Sequence, residues 1–438
     1  MNSDTATVLA GEHPAAPCGP YGERLLSGWY DTGRPADLTE HLARYGPPPL
    51  LQARGRGSAM PLVRAVEEAG LTGRGGGGFP TGRKLRSVAG ARGPAVLVAN
   101  GMESEPASHK DEVLLSFAPH LVLDGAALAA VAVGANAVHL CLPRTRAAQV
   151  DQLTAAVAER RRAGLDPVPV QVHALPHHFV SSEETSLVNW LNGGDARPRS
   201  TPPRPFEKGV AKRPTLIGNV ETLAHLALIA RYGPAWFRAS GSSQAPGTAL
   251  VTVSGAVRRP GVYEIPAGSS VTAALSRAGG PHGRLGAVLA GGFFGSWLPV
   301  PLSTTAPERG AGVLVALPEG ACGLAETAAA MSYLAAQSAR QCGPCRFGLP
   351  SVAEDFVALA RGHADAQLLN RLHRRLGLLP RRGACSHPDG AERLAASALR
   401  VFADDVHRHV HTGPCGDAFA PLVLPVPDAR PPEEEEWR

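Results

Sequence analysis

Apolar and polar positions recur along the chain with two periods. At 61–70 the apolar residues Leu62, Val63 and Val66 return at helical spacing, whereas 95–99 is a short continuous apolar run of strand length. The pattern then predicts a helix over 120–135, a strand over 137–142, a helix over 146–163 and a strand over 168–172. Strands that alternate with helices predict an α/β layer. Residues 186–191 are helical again, and a further helix opens at 218–222 with Asn219 as its N-cap. The period shortens at 248–255, an alternating strand; Pro260-Gly261 turns it, and 262–265 returns as its hairpin partner. With a helix at 270–278, about 245–315 reads as a small β-rich domain. Helical spacing over 324–339, 352–361, 367–376 and 390–411 predicts a C-terminal bundle. The flanks are less patterned. Residues 1–49 are interrupted by Pro and Gly, with a helix at 38–43, and 431–438 reads as an acidic, disordered end.

A chain of 438 residues has room for two to four domains. Its 44% hydrophobic and 18% charged residues are those of a globular protein. The net charge of +5 comes without a Lys/Arg tract, so no nucleic-acid partner is implied. No charged-then-apolar pattern marks a signal peptide, and a cytoplasmic location follows. The longest apolar run, 121–137, contains Asp124 and reads as a buried helix rather than a membrane span. An odd set of 7 cysteines in such a chain favours thiolate chemistry or metal over disulfides. Arginine dominates the basic residues; lysine stands only at Lys84, Lys110, Lys208 and Lys212, a hint that each ammonium has a specific use.

The strongest chemical signal lies at 71–84. Gly73, Gly75, Gly76, Gly77 and Gly78 fall in six positions, with Arg74, Phe79 and Lys84 set among and after them. Glycines let backbone N–H groups approach a ligand, and consecutive inward amides make an anion-binding concavity. The two cations make a phosphate-bearing cofactor the natural guest. The loop is neither common phosphate motif: a dinucleotide fingerprint must follow a strand, but 61–70 is helical, and Arg83 stands where a Walker loop needs lysine. Asn100, Glu103 and Ser104 lie in a polar turn at the end of the 95–99 strand, where α/β folds place ligands. Glu183 and Glu184 open a helix, and acids there complement its dipole whatever else they do.

Cys342-Gly-Pro-Cys345 lies between helices, with Cys385 further on in Gly383-Ala-Cys-Ser-His387. A thioredoxin-type pair needs a βαβ context that is absent here. Zinc held by Cys342, Cys345, Cys385 and His387, or an iron–sulfur cluster, are the remaining readings.

Taken together these stretches resemble the flavin-binding, NADH-oxidising subunit of respiratory complex I and the equivalent diaphorase subunits of hydrogenases and formate dehydrogenases. The resemblance runs from about Leu62 to His411. Residues 71–84 match the family's L-R-G-R-G-G-A-G-F-P-T-G-L-K loop, 100–106 its N-A-D-E-S-E-P, and Lys110-Asp111 the K-D that follows. Ser182-Glu183-Glu184-Thr185 matches G-E-E-T, and 214–223 matches P-T-x-x-N-N-V-E-T-L. The resemblance implies an α/β fold: a Rossmann-like flavin-binding domain (50–244) after an N-terminal extension (1–49), then an SLBB-like β-grasp domain (245–318), a helical iron–sulfur domain (319–415) and a tail (416–438).

It also implies FMN held by Gly73, Arg74, Gly75, Gly76, Gly78, Phe79 and Lys84 of the loop, with Asn100, Glu103, Ser104, Asn219 and Thr222. Glu183 and Glu184 would line the mouth where a hydride donor such as NADH enters, and Cys342, Cys345 and Cys385 would hold a 4Fe-4S or 3Fe-4S cluster. The implied partner is an electron-transfer protein, a ferredoxin or an iron–sulfur subunit, with the chain at most peripheral to a membrane complex.

The sequence departs from the family in places. Ala339 stands at the first cysteine of S-C-G-x-C-x-P-C-R, Met102 at the Asp of N-A-D-E and Ser182 at the Gly of G-E-E-T. Of the adenine-stacking aromatics Phe79 remains, while Ser87 and Arg204 occupy the places of others. A divergent paralogue with weakened NADH use is expected. Its missing cluster ligand would come from His387 or Cys415, or less readily from Cys322. The competing readings are a flavoprotein adaptor fed by ferredoxin without NADH, and a cofactor-free SLBB scaffold.

Overall fold

The computed structural model describes residues 22–27, 34–53, 60–302, 311–365 and 367–438. Cys18 and much of the 1–49 extension lie outside them. The described part of that extension holds the expected helix, Leu38–Tyr45, capped by Asp37.

The first layer is a parallel sheet of β1 (Ala95–Asn100), β2 (Ala135–Pro143), β3 (Val170–Leu175) and β4 (Thr215–Asn219), in the order β3-β2-β1-β4. β1 is buried along five consecutive residues because helices cover both faces, which is why it reads as an unbroken apolar run. The chain winds from β1 outward through β2 to β3, then returns to place β4 on the other side of β1. That reversal leaves a crevice at the C-terminal ends of β1 and β4, where open α/β sheets bind ligands. Asn100 and Asn219 end these strands and are paired across it.

The helix Pro119–Val133 is the predicted apolar run, and all but Val131 of its residues are buried. Its one charge, Asp124, is met by His41 and Arg160, each at 2.8 Å, and by Arg231. Burial alone would raise this carboxyl; the three partners outweigh it and hold it well below the usual carboxylate range. Among the described residues no single helix is long and apolar enough to cross a membrane.

The second sheet is mixed, with β5 (Thr248–Gly255), β6 (Gly261–Pro266), β7 (Leu285–Ala290), β8 (Ser296–Pro299) and β9 (Val313–Pro318) in the order β6-β5-β9-β7-β8. β5 and β6 form the expected antiparallel hairpin, and Ser270 caps the helix Val271–Arg277. Alternation along β7 and β9 sends side chains to two different cores. Val288, Ala290, Leu314 and Ala316 pack with that helix. Ala287, Leu289, Val313, Val315 and Leu317 pack instead against the C-terminal helices. The sheet and the bundle therefore share one core, and Trp297 of β8 donates to Thr327 and Ser397 of the bundle, each at 2.9 Å.

The bundle comprises Gly323–Ala336, Leu349–Ala360, Leu368–Leu376, His387–Val401 and Ala403–His411. The single helix expected over 390–411 is two, broken at Phe402. Its ring packs at 5.1 Å from Trp297 and fills the space beside Gly323, where a Cβ would lie 2.2 Å from it. Tertiary packing overrides the helical pattern there.

The largest departure from expectation is the C-terminus, which is ordered. Val423 and Leu424 donate to the Glu326 carboxylate at 2.7 and 2.9 Å, and Gln337 donates to the Arg430 carbonyl at 3.1 Å. The strap then reaches the flavin-type domain. Trp437 is 1% exposed, with Arg197 over its ring, and its carbonyl accepts from Ala196 N–H at 2.8 Å. Glu434 pairs with Arg197 at 2.6 Å. The acidic run is neutralised by Arg197, distant in sequence, and by the nearby Arg430, and the tryptophan supplies the burial.

Candidate flavin crevice and cysteine face

The glycine loop leaves the helix Pro61–Ala69, not a strand, and enters the helix Thr81–Ala89. Its neck is closed by Gly73 N–H to Phe79 O and Thr81 N–H to Leu71 O, each 2.9 Å. Between these, Arg74 N–H donates to Thr222 Oγ1 at 2.8 Å. Among the described residues the amides of 75–79 donate to no backbone carbonyl. Gly76 and Gly78 have φ of +97° and +61°. Gly75 packs against Asn219, where an added Cβ would lie 3.4 Å from Asn219 Cβ. The loop's free amides therefore sit beside the end of β4, where consecutive amides turned inward would suit an anionic cofactor.

The side chains expected in this site divide into two groups. Lys84 reaches across to Glu184 and pairs with it, so both face the crevice. Phe79 stands 57% exposed at the rim. Asn100 donates to Ser182 O at 3.0 Å and accepts from Met102 N–H at 3.0 Å. Asn219 accepts from Glu221 N–H at 3.0 Å, as the expected N-cap, and donates to Asp111 at 2.7 Å.

The other group is committed inward. The Arg74 guanidinium donates to the carbonyls of Pro246 and Thr248, at 3.3 and 3.1 Å, so its charge ties the loop to β5 instead of facing the loop's mouth. The Glu103 carboxylate accepts from Ser108 Oγ at 2.6 Å and from the amides of Asp111 and Glu112 at 3.0 and 3.1 Å, fixing the start of the helix Lys110–Phe117. Ser104 Oγ bonds Phe179 O and Ser182 Oγ, at 2.7 and 2.6 Å. Glu183 is the N-cap of the helix Glu184–Leu191, accepting from Thr185 and Ser186 N–H; burial raises its carboxyl despite those bonds.

A buried charge cluster lies beneath. Lys110 pairs with Asp111 at 2.6 Å and Glu221 at 2.9 Å. Burial would raise Glu221, but the Lys110 charge wins and holds it at about 2. The scarcity of lysine was the sequence signal for this cluster. Lys208 and Lys212, with Arg199, line a cavity of about 480 Å³ walled on the other side by Thr185, Val188 and Asn192.

The cysteine face adjoins this crevice. Cys342 precedes a π-helical turn, Pro344–Gly348, that carries buried Cys345; Cys385 precedes the helix His387–Val401. Burial, together with the nearby Cys342 and Cys385, pushes the Cys345 thiol far up. Burial first, then Glu183 and Cys342, pushes Cys385 up to about 11. The crevice side and the cysteine face meet where the rings of Phe179 and His387 pack 5.6 Å apart.

Among the described residues only one trio, Cys322, His409 and Cys415, brings its ligand atoms within 4.8 Å of one another. A mononuclear tetrahedral zinc would hold thiolates about 3.8 Å apart, from Zn–S of about 2.3 Å. The wider set of Cys342, Cys345 and Cys385 suits a polynuclear cluster instead. Ala339 offers no fourth ligand, and Cys322 and Cys415 lie together with His409, contrary to the expectation that one might complete this set. His387 donates through Nε2 to Leu334 O at 2.8 Å, leaving Nδ1 buried and unpartnered; burial lowers its pKa to about 4.

Comparison with known proteins accounts for this combination. Residues 66–228 match the Nuo51 FMN-binding domain, 250–292 the SLBB domain, and 321–409 the NADH-ubiquinone oxidoreductase-F iron-sulfur binding region. The F 2 subunit of NADH-quinone oxidoreductase in Rhizobium meliloti is 30% identical over 389 residues, covering 84% of this chain and 92% of the relative. The F subunit of the same enzyme in Streptomyces coelicolor is 32% identical over 372 residues, covering 80% and 83%.

The chain belongs to the family of NADH-quinone oxidoreductase F subunits.

Like the members of this family it is an NADH-dehydrogenase-like flavin oxidoreductase with an FMN-binding domain and a 4Fe-4S binding region. The structure is similar to that of an NAD+-reducing [NiFe]-hydrogenase in the H2-reduced state, with a TM-score of 0.71 and 30% identity. The match covers 80% of this chain, which spans 62% of the hydrogenase chain.

Proposed function

We propose that this F-type chain binds FMN non-covalently at the ends of β1 and β4 and passes electrons between a nicotinamide nucleotide or protein donor and a cluster on Cys342, Cys345 and Cys385. The observation that carries the reading is the row of unpaired amides at 75–79 beside Asn100 and Asn219, with the Phe179 and His387 rings joining that side to the helix after Cys385. Bound there, FMN supplies the conversion of a hydride's electron pair into single electrons. The chain's own residues do the rest. The amides and Lys84 offset the cofactor's negative charge, while Glu184 keeps Lys84 turned into the crevice. Asn100 and Asn219 are the proposed polar contacts at the strand ends. Arg74, Glu103, Ser104 and Thr222 act as positioning residues that hold the loop and the turn after β1. Glu183 and Glu184 line the donor's mouth, and His387, through Nδ1, is the candidate fourth cluster ligand.

A protein donor is favoured by a specific observation. Exposed Arg204 stands at an aromatic position of the family, and Arg199, Lys208 and Lys212 line the neighbouring cavity. We propose a ferredoxin or an iron–sulfur subunit as partner, in a cytoplasmic chain peripheral to a larger complex. The four units 50–244, 245–318, 319–415 and 416–438 are proposed as the functional division. Two lost stacking partners, at about 1–3 kcal/mol each on the scale of base–aromatic contacts, weaken NADH binding by about one to two orders of magnitude per position. The test is the visible spectrum of anaerobically purified protein, followed by NADH titration. Flavin peaks with a cluster shoulder and slow bleaching are expected, and Arg204→Phe should tighten NADH about tenfold or more. FAD, or folded protein without flavin, refutes the reading. Rapid bleaching by micromolar NADH refutes the protein-donor arm.

A further inference from the structure

We propose that Cys322, His409 and Cys415 form a zinc site, separate from the cluster cysteines, that fastens the root of the C-terminal strap to the bundle. Cys322 is the N-cap of Gly323–Ala336, directly after the second sheet; His409 lies in the last turn of Ala403–His411; Cys415 precedes the turn Gly416–Phe419. Their two sulfurs and one imidazole nitrogen lie within 4.8 Å of one another, and Cys322 Sγ is 3.9 Å from His409 Nε2. Tetrahedral zinc, with Zn–S of about 2.3 Å and Zn–N of about 2.0–2.1 Å, places sulfur and nitrogen about 3.6 Å apart. Closing that gap takes a few tenths of an ångström.

The imidazole is already set for ligation. His409 Nδ1 lies 3.1 Å from the carbonyl of Leu359, an acceptor only, so Nδ1 carries the proton and Nε2, 3.9 Å from Cys322 Sγ, is the nitrogen with the lone pair. That lone pair accepts from the Cys415 amide at 3.1 Å, which keeps Cys415 beside it, and ligation of a metal replaces this bond. Cys322 and His409 are buried and Cys415 is partly exposed, so the fourth position opens to water. Two thiols and an imidazole select a soft-to-borderline divalent ion, and zinc takes this set without redox change. Loading replaces two thiol protons, which leave to solvent, so one divalent ion balances the two thiolates formed.

The test uses the full chain, purified anaerobically from zinc-supplemented cells, with zinc and iron measured on the same sample. About one zinc per chain is expected. His409→Gln and Cys415→Ser should each lower zinc at least tenfold and leave iron and flavin unchanged, whereas Cys342→Ser should lower iron and leave zinc. Cobalt exchanged into the wild-type chain should give thiolate-to-cobalt charge transfer with tetrahedral ligand-field bands, a readout that stands even where a variant fails to fold. Wild-type chain without zinc, zinc retained in both variants, or a Cys322–Cys415 disulfide in the anaerobic protein overturns the proposal. Because iron and flavin are read separately, failure here leaves the electron-transfer reading intact, and the reverse also holds.

Discussion

The flavin crevice and the cysteine face lie side by side but are built on opposite principles. In the crevice the proposed recognition comes from the backbone: unpaired amides at 75–79 and the ends of two parallel strands. Side-chain departures from the family are absorbed there. Met102 turns into an apolar cluster with Val96, Val98 and Leu187 while its N–H still serves Asn100, and Ser182 adds hydroxyl contact to Ser104. On the cysteine face the proposed ligands are the side chains themselves, so a single change, Ala339, removes one outright. A backbone-built site tolerates drift that a side-chain-built site does not.

The comparison can be broken most sharply at the ligands. Cys345→Ser should abolish iron binding altogether while flavin content holds, measured by iron analysis and flavin fluorescence. Ala339→Cys should do the reverse, replacing any three-iron signal in electron paramagnetic resonance with that of a four-iron cluster. An iron content unchanged in both variants would refute the cysteine assignment.

The seam between the two regions comes next. Glu105 follows β1 and accepts from Phe293 N–H at 2.9 Å; a Cβ on Gly292 would lie 2.5 Å from its carboxyl carbon. Burial pushes its pKa up from 4.5 to about 7. The folded state therefore holds this proton more tightly than the unfolded chain. Its stabilising contribution is complete below pH 4.5 and fades as pH rises through about 7, a span worth about 3 kcal/mol. Glu105→Gln keeps an acceptor for Phe293 and should flatten this slope in denaturant titrations at a series of pH values. An unchanged slope would place the proton elsewhere.

Backbone dependence is tested at Gly76. With φ at +97°, valine there carries strain of about 1–3 kcal/mol and obstructs the amides, so FMN should bind about tenfold to a hundredfold more weakly. The smallest effect is expected at Met102→Leu, a swap of similar volume costing less than about 1.5 kcal/mol, with flavin content within about twofold of wild type. A large flavin loss there would show that the side chain, not the backbone, serves the site.

Much of this arrangement was legible in the sequence because local rules and tertiary packing agree. The unbroken apolar run of β1, the Asn219 cap and the β5–β6 hairpin each follow from short-range pattern, and the glycine loop from its composition. What escaped depends on partners far apart in sequence. Arg74 looked like a phosphate ligand because nothing local revealed the carbonyls of Pro246 and Thr248. Glu103 and Ser104 looked like cofactor ligands because the amides of 111–112 and the Phe179 carbonyl that occupy them lie elsewhere in the chain. Cys322, His409 and Cys415 have no motif spacing; only the fold brings them together. The tail read as solvated from its prolines and glutamates, although Trp437 was a sign that part of it is buried.

That tail has a consequence for biogenesis. Trp437 docks on Ala196 and Arg197, residues made long before it leaves the ribosome. Domains fold largely as units in the order of their synthesis. The flavin-type domain can thus collapse early, but the surface around Ala196 and His178 stays uncovered until residues 423–438 arrive. Completion of the amino-terminal half is deferred until Trp437 has been made, which leaves the shorter nascent chain in need of protection from aggregation.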